Sequence, residues 1–196
     1  MRRIHGPPPL SPQVPIALCV LLLLARDTSA QADRTAARSK GRPDAPVAMY
    51  VMSDFQCPFC RDFALSTMPA LEREYIKSGK VRFTFVNLPL TSIHANAVAA
   101  AEVAMCAAQQ GKFWPVHDRL FQRQAQWADR KTPGAYLLAL ADSAGVNHAQ
   151  VAACVASHET RPAIEARCSR RRANSARSHR LDTATMPAVR DRKSVV

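Results

Sequence analysis

The pattern of apolar positions predicts a strand, a helix and a second strand. Residues 47–52 are continuously apolar, which is typical of a strand buried on both faces of a sheet. Apolar residues then recur at roughly helical spacing from Cys57 to Gly79, with a kink expected at Pro69. Apolar and polar residues alternate from Val81 to Phe85, before Leu88-Pro89. The pattern therefore predicts a βαβ unit.

A long helical region follows this unit. The predicted helices cover residues 93–110, 113–124, 133–144 and 149–157, and the first and third stop at Gly111 and Gly145. Only near Thr185 to Ala188 does a segment suited to a sheet return. With 196 residues, 47% of them hydrophobic, we expect one folded unit of mixed α/β class.

The first thirty residues have the pattern of a secretory signal. Arg2 and Arg3 precede an apolar run over residues 14–25, and small residues follow at Ala30 and Ala32, the expected cleavage sites. About a dozen apolar residues are too few for a membrane helix, which needs roughly 20. We expect a periplasmic or otherwise extracytoplasmic protein with no stable membrane span after cleavage. An uncleaved signal holding it at the membrane stays open as an alternative.

The net charge of +12 is unevenly distributed. Residues 161–196 contain 10 of the 27 basic residues, 3 of the 15 acidic ones and no aromatic residue. A nucleic-acid interface places basic and aromatic residues together on a folded surface, so we do not expect nucleic acid as a partner.

The polar residues 31–45 are expected to be a flexible leader.

Cys57 and Cys60 stand where the first predicted strand gives way to a helix. Unpaired N–H groups and the positive end of the helix dipole stabilise a thiolate there, which makes Cys57 the expected nucleophile. Cys60, one turn deeper, is expected to resolve the mixed disulfide. A zinc site would need further ligands at matching spacing, which are lacking, so we expect no metal. An inert structural disulfide stays open as an alternative.

The sequence SDFQCPFCRDF resembles the DsbA-like thiol-disulfide oxidoreductases. The resemblance runs from about Pro43 to Glu165 and includes GRPDAPVAMYVMSDF, LEREYIKSGKVRFTFVNLPL, IHANAVAAAEVAMCAAQQGKFWPVHDRLF and AACVAS. It implies a thioredoxin fold over residues 46–90 with a helical domain inserted over residues 91–165.

The resemblance also implies that Cys106 and Cys154 form a second disulfide, although two buried free cysteines are an alternative. The positions of other residues in the insertion indicate their roles. His94 and His117, placed in helical segments of the insertion, are expected to be structural rather than general bases. Phe113 and Trp114 are expected to pack the helical core rather than bind a cofactor, and no cofactor is expected.

The C-terminal segment, residues 166–196, departs from the family pattern. Pro187 is the candidate for the cis-proline beside the redox centre, but only nine residues follow it. The C-terminal hairpin and helix are therefore expected to be missing. The stretch RCSRRRANSARSHR contains the unmatched Cys168, and its abrupt change of composition suggests an altered reading frame; a divergent tail is the alternative.

These observations predict an exported thiol-disulfide oxidoreductase. A dithiol oxidase is the first expectation, and a reductase or an isomerase stays open as an alternative. Its expected partners are cysteine-containing protein substrates and an unidentified protein that recycles the redox pair. The expected catalytic residues are Cys57, Cys60 and Pro187. The alternative is a non-catalytic remnant or binding module with an incomplete sheet.

Overall fold

The computed structural model describes residues 35–166. The predicted signal segment, Cys168 and Pro187 lie outside these residues. A three-stranded sheet contains β1 (Ser39–Lys40), β2 (Val47–Ser53) and β3 (Val81–Asn87) in the order β1-β3-β2. β2 runs parallel to β3, with the register extending from Val47 opposite Val81 to Ser53 opposite Asn87. The predicted βαβ unit and the mixed α/β class are confirmed.

Strand β1 corrects the prediction of a flexible leader over residues 31–45. Ser39 and Lys40 pair antiparallel with β3. Their polar side chains gave no strand pattern, but the Ser39 hydroxyl lies 2.8 Å from that of Thr84, and Arg38 donates to the Phe85 carbonyl at 3.0 Å. Gly41 follows at a φ of +91°, where a Cβ would lie 2.4 Å from the Val81 carbonyl oxygen. Only glycine fits this close turn.

The expectation that β2 is buried on both faces is wrong for the described residues. Met49 and Val51 pack against the core, whereas Tyr50 and Met52 on the opposite face are 65% and 59% exposed. β2 is the last strand of the described sheet, and no described element covers this outer face. A continuous apolar run does not reveal which of its alternating faces is covered.

The segment after Cys57 is helical through four consecutive elements. These are α1 (Pro58–Asp62), a π-helical turn (Phe63–Thr67), α2 (Met68–Leu71) and a second π-helical turn (Glu72–Ile76). Pro69 has no N–H to donate to the preceding turn, and the helical ladder widens into a π-helical turn just before α2. Gly79, at a φ of +76°, follows the helix end as predicted.

In the described part of the chain, five complete helices follow β3 and form the helical insertion, and a further helical segment covers residues 161–166. The five are α3 (Ala97–Ala108), α4 (Phe113–Gln122), α5 (Gln124–Trp127), α6 (Gly134–Ser143) and α7 (His148–Ala156), close to the predicted segments. The insertion and the sheet share one core, in which Phe85 stacks on Phe55 at 5.1 Å and packs against Phe113 at 5.4 Å. The structural packing expected of Phe113 is confirmed, and Trp114 packs partly buried beside it.

A disulfide joins α3 to α7. Cys106 and Cys154 are bonded to each other, with their Cα atoms 5.9 Å apart, and both are buried. The pairing expected from the resemblance is therefore confirmed. Among the helices of residues 35–166, none combines the length and apolar character that a membrane crossing requires.

Candidate active site

The two cysteines lie at the junction of β2 and α1, as the sequence predicts. Cys57 has an extended backbone, with φ −73° and ψ 124°, and is the N-cap of α1; Pro58 opens the helix. Both cysteines are unbonded and partly buried. The intervening Phe59 is 82% exposed. An apolar ring therefore stands in solvent directly beside the reactive pair.

Asp54 organises the loop between β2 and α1. Its carboxylate is almost fully buried and accepts hydrogen bonds from the Gln56 N–H and the Leu90 N–H, each at 2.7 Å, and lies 2.8 Å from His94 Nδ1. Its carbonyl accepts from the Cys57 N–H at 3.2 Å. Sequence reasoning missed Asp54, although an aspartate two residues before a turn N–H is a known local signal.

The two histidines singled out in the sequence occupy different settings. His94 lies in the turn before α3 and not in a helix, which corrects the sequence assignment. The Nδ1 atom of His94 faces the Asp54 carboxylate. Asn96, the N-cap of α3, tethers this turn by donating to the carbonyls of Ala128 and Arg130. His117 lies in α4, is 4% exposed and contacts several aromatic rings of the core.

The insertion holds the same loop through amide side chains. Gln124, 4% exposed, donates to the carbonyls of Phe55 at 2.7 Å and Cys57 at 3.0 Å. Gln56 donates to the Ala128 carbonyl at 2.8 Å and accepts from the Asn96 N–H at 2.7 Å. No sequence pattern pointed to these residues, because a glutamine that binds distant carbonyls looks like any other glutamine in the sequence.

Cys60 has a different environment from Cys57. Burial is the main reason that the pKa of the Cys60 thiol is raised, and the nearby Cys57 adds to the effect. The Asp54 N–H, 3.5 Å from Cys60 Sγ, offsets part of it. At neutral pH the inner sulfur is therefore held mainly as a thiol. Pro187, the third expected site residue, lies outside the described residues.

The described residues were also compared with the grouping that a metal site requires. Within residues 35–166, no three His, Cys, Asp or Glu side chains are grouped closely enough to hold a metal ion. The chemistry that the site itself offers is sulfur chemistry, with two unbonded cysteines at the start of a helix.

Comparisons with known proteins agree with this geometry. A family model described as Thioredoxin matches residues 34–178. A probable disulfide bond formation protein D from Bacillus anthracis is 38% identical over 87 residues, which are 44% of this chain and 40% of that protein. This chain thus matches less than half of that relative's length.

Two solved structures share the fold. BdbD from Bacillus subtilis is 24% identical with a TM-score of 0.59, covering 65% of this chain and 70% of that one. Wolbachia pipientis alpha-DsbA1 is 20% identical with a TM-score of 0.60, covering 67% and 65%. With a family match over most of its length, this chain belongs to the thioredoxin family, and it has the thioredoxin-like fold with a helical insertion seen in DsbA-like proteins.

Proposed function

We propose that this protein is an exported thiol-disulfide oxidoreductase that oxidises dithiols in cysteine-containing proteins through Cys57 and Cys60. The observation that carries the proposal is the asymmetry of the pair. Cys57 is the N-cap of α1, whereas Cys60 lies within the first turn of the helix, where burial raises the pKa of its thiol. An outer sulfur that exchanges with substrate and an inner sulfur that closes the cycle is the arrangement that disulfide exchange requires.

The reaction begins with Cys57 and Cys60 joined as a disulfide. A substrate thiolate attacks Cys57 Sγ, a mixed disulfide forms, and Cys60 leaves as a thiolate that takes up a proton. The second substrate thiolate attacks the substrate sulfur of the mixed disulfide, so that Cys57 leaves. The substrate has lost two electrons and two protons, and the reduced pair must be reoxidised by an electron-accepting partner.

The direction of exchange is supported by the name of a related protein. The Bacillus anthracis protein is called a probable disulfide bond formation protein, which denotes oxidation of dithiols. The surface of the site also suits protein substrates. Phe59 is 82% exposed beside the cysteines, where it can contact an apolar side chain of an unfolded chain.

Export is supported by two observations of different kinds. Residues 1–30 have the composition of a secretory signal, and the disulfide between Cys106 and Cys154 suits an oxidising compartment. Sequencing the N-terminus of the protein recovered from a bacterial periplasm should give a start at Gln31 or Asp33. A product that keeps Met1 and stays in the cytoplasm would contradict export.

The activity is tested with a reduced peptide that contains two cysteines. The oxidised full chain should convert it to the cyclic disulfide, and Cys57→Ser should abolish the conversion. Cys60→Ser, incubated in reduced form with the oxidised peptide, should retain a peptide adduct on Cys57 that mass spectrometry detects. Cys168→Ser is the matched control and should behave as the unchanged chain. A folded chain without turnover would favour the non-catalytic binding module.

Pro187 is proposed as the cis-proline that faces the redox pair, on the resemblance alone. The carbon chemical shifts of its ring report the isomer of the Met186-Pro187 bond in solution. A trans bond in the folded protein would refute this role.

A further inference from the structure

A small cavity lies behind Cys60, between the sheet and the insertion. It offers about 10 Å³ of space to the centre of a water molecule, which is close to the room that one water needs. Most of its wall is apolar, but four residues with polar atoms line it: Ser53, Cys60, Trp114 and His117. A water in such a cavity is stable only if two or more polar groups bind it.

His117 is a neutral base on this wall. Its Nδ1 lies 2.8 Å from Oδ1 of Asp118, an exposed carboxylate that can only accept a hydrogen bond, so Nδ1 carries the proton. The other ring nitrogen, Nε2, is then a free acceptor. Burial lowers the pKa of His117, which keeps the imidazole neutral at pH 7.

Trp114 supplies a second polar group to the same wall. Its Nε1 is buried and has no hydrogen-bond partner among the described residues. A buried N–H without a partner costs free energy, and a water in the adjoining cavity would relieve that cost. Lys40 also lies beside this tryptophan: its Nζ is 4.7 Å from the centroid of the Trp114 ring and 2.6 Å from Glu72 Oε2.

Two charged groups act on His117. They are Asp118 on α4 and Lys40 on β1, and Lys40 is paired with Glu72.

Cys60 needs such a base. Its thiol must lose a proton before its sulfur can attack the mixed disulfide on Cys57, and burial holds it in the thiol form. Asp54 presents an N–H to this sulfur rather than an acceptor. Two of the residues that line the cavity are titratable: Cys60 itself and His117.

We propose that His117 takes the proton of the Cys60 thiol, through one water in this cavity, when Cys60 attacks the mixed disulfide. The inference rests on the proposed function. The S–H bond breaks and its proton passes by the water to His117 Nε2. The Cys60 sulfur bonds to Cys57 Sγ, and the substrate leaves as a thiolate. His117 then releases the proton to solvent and is neutral again.

The test uses the reduced full chain with Cys19 and Cys168 replaced by serine, mixed rapidly with excess dithiobis(nitrobenzoate). The first coloured thiolate is released when Cys57 reacts, at a rate proportional to the reagent. The second is released when Cys60 attacks the mixed disulfide, at a rate independent of the reagent. The first phase reports the outer cysteine and the second reports the proposed proton transfer.

At pH 7, His117→Gln should slow the second phase about tenfold or more and leave the first within about twofold, because a positioned base contributes at least that much. Phe121→Leu, which alters the apolar wall without removing an acceptor, should leave the shape of the pH profile unchanged. Equal second-phase rates in His117→Gln and the parent chain, or equal slowing of both phases, would overturn the proposal.

The pH profile of the parent chain decides the matter even if His117→Gln does not fold. With a neutral base, the second-phase rate should be nearly flat around pH 7 and fall only on the acid side of about pH 6.5. Without a base, the rate follows the thiolate fraction of Cys60 and rises about tenfold per pH unit through neutrality, which would overturn the proposal. A first phase with no second phase in the parent chain would overturn the proposed function itself.

Discussion

The disulfide between α3 and α7 should contribute a large share of the stability of the chain. Cys106 and Cys154 are separated by 48 positions in the sequence, and closing a loop of that length removes conformational entropy from the unfolded chain worth about 4 kcal/mol at 25 °C. A domain is typically stable by about 5 to 15 kcal/mol in all. Breaking this one bond should therefore bring the protein close to unfolding.

The measurement compares one polypeptide in two redox states. With Cys57, Cys60, Cys19 and Cys168 replaced by serine, the bond between Cys106 and Cys154 is the remaining disulfide that a reductant can break. Urea unfolding of this variant, followed by circular dichroism with and without reductant, isolates the cross-link because no side chain is truncated. The free energy of unfolding should fall by about 4 kcal/mol on reduction.

A decrease of less than about 1 kcal/mol in the free energy of unfolding would refute the reasoning, because it would mean that the unfolded chain gains little freedom when the bond opens. Thiol labelling after reduction serves as the control. It must show that both buried cysteines became reactive under denaturing conditions and that the reductant reached the bond.

Three further predictions concern residues around the redox pair. Gln124→Ala should lower the free energy of unfolding in urea by about 2 kcal/mol, because two carbonyls of the loop lose their donor, whereas the exposed Gln126→Ala should change it by less than about 0.5 kcal/mol. Asp54→Asn should lower the free energy of unfolding by about 3 kcal/mol, because a buried carboxylate with three partners is replaced by an amide whose NH₂ group would face a hydrogen-bond donor. The control, Asp62→Asn, changes an exposed carboxylate and should leave the free energy of unfolding almost unchanged. Equal decreases in the two variants would contradict the argument from burial. Because burial lowers the pKa of His117, this residue binds a proton near pH 6.5 in the unfolded chain but not in the folded chain. The free energy of unfolding should therefore fall as the pH drops from 7 to 5, by up to about 1.4 kcal/mol per pH unit. This pH-dependent loss of stability should vanish in His117→Gln.

The sequence predicted most of the regular structure because the packing of that structure is periodic. The alternation of β3 and the spacing of the insertion helices are direct consequences of one face meeting the core, so both were readable. The redox pair was readable for another reason. Its position, just after a strand and at the start of a helix, is local in sequence, and Pro58 marks the first turn.

Features that depend on distant contacts were not readable. Strand β1 is two residues long and polar, and its pairing depends on β3, more than forty residues later. The disulfide was expected only through the family resemblance, since the spacing of the cysteines does not define their partners. The outer face of β2 was misjudged because an apolar run is compatible with one or two covered faces.

The insertion is a structural part of the redox centre and not an accessory domain. The strand and helix that carry the cysteines fix only one side of the loop, through Asp54. The other side is held by Gln124, whose amide reaches the carbonyl of Cys57 itself, and by the paired contacts of Gln56 with the insertion. Because buried hydrogen bonds to backbone carbonyls have strict geometry, a shift of the insertion must shift the cap of α1 or leave these groups unpaired. The position of the outer sulfur therefore depends on helices that begin forty residues beyond it in the sequence.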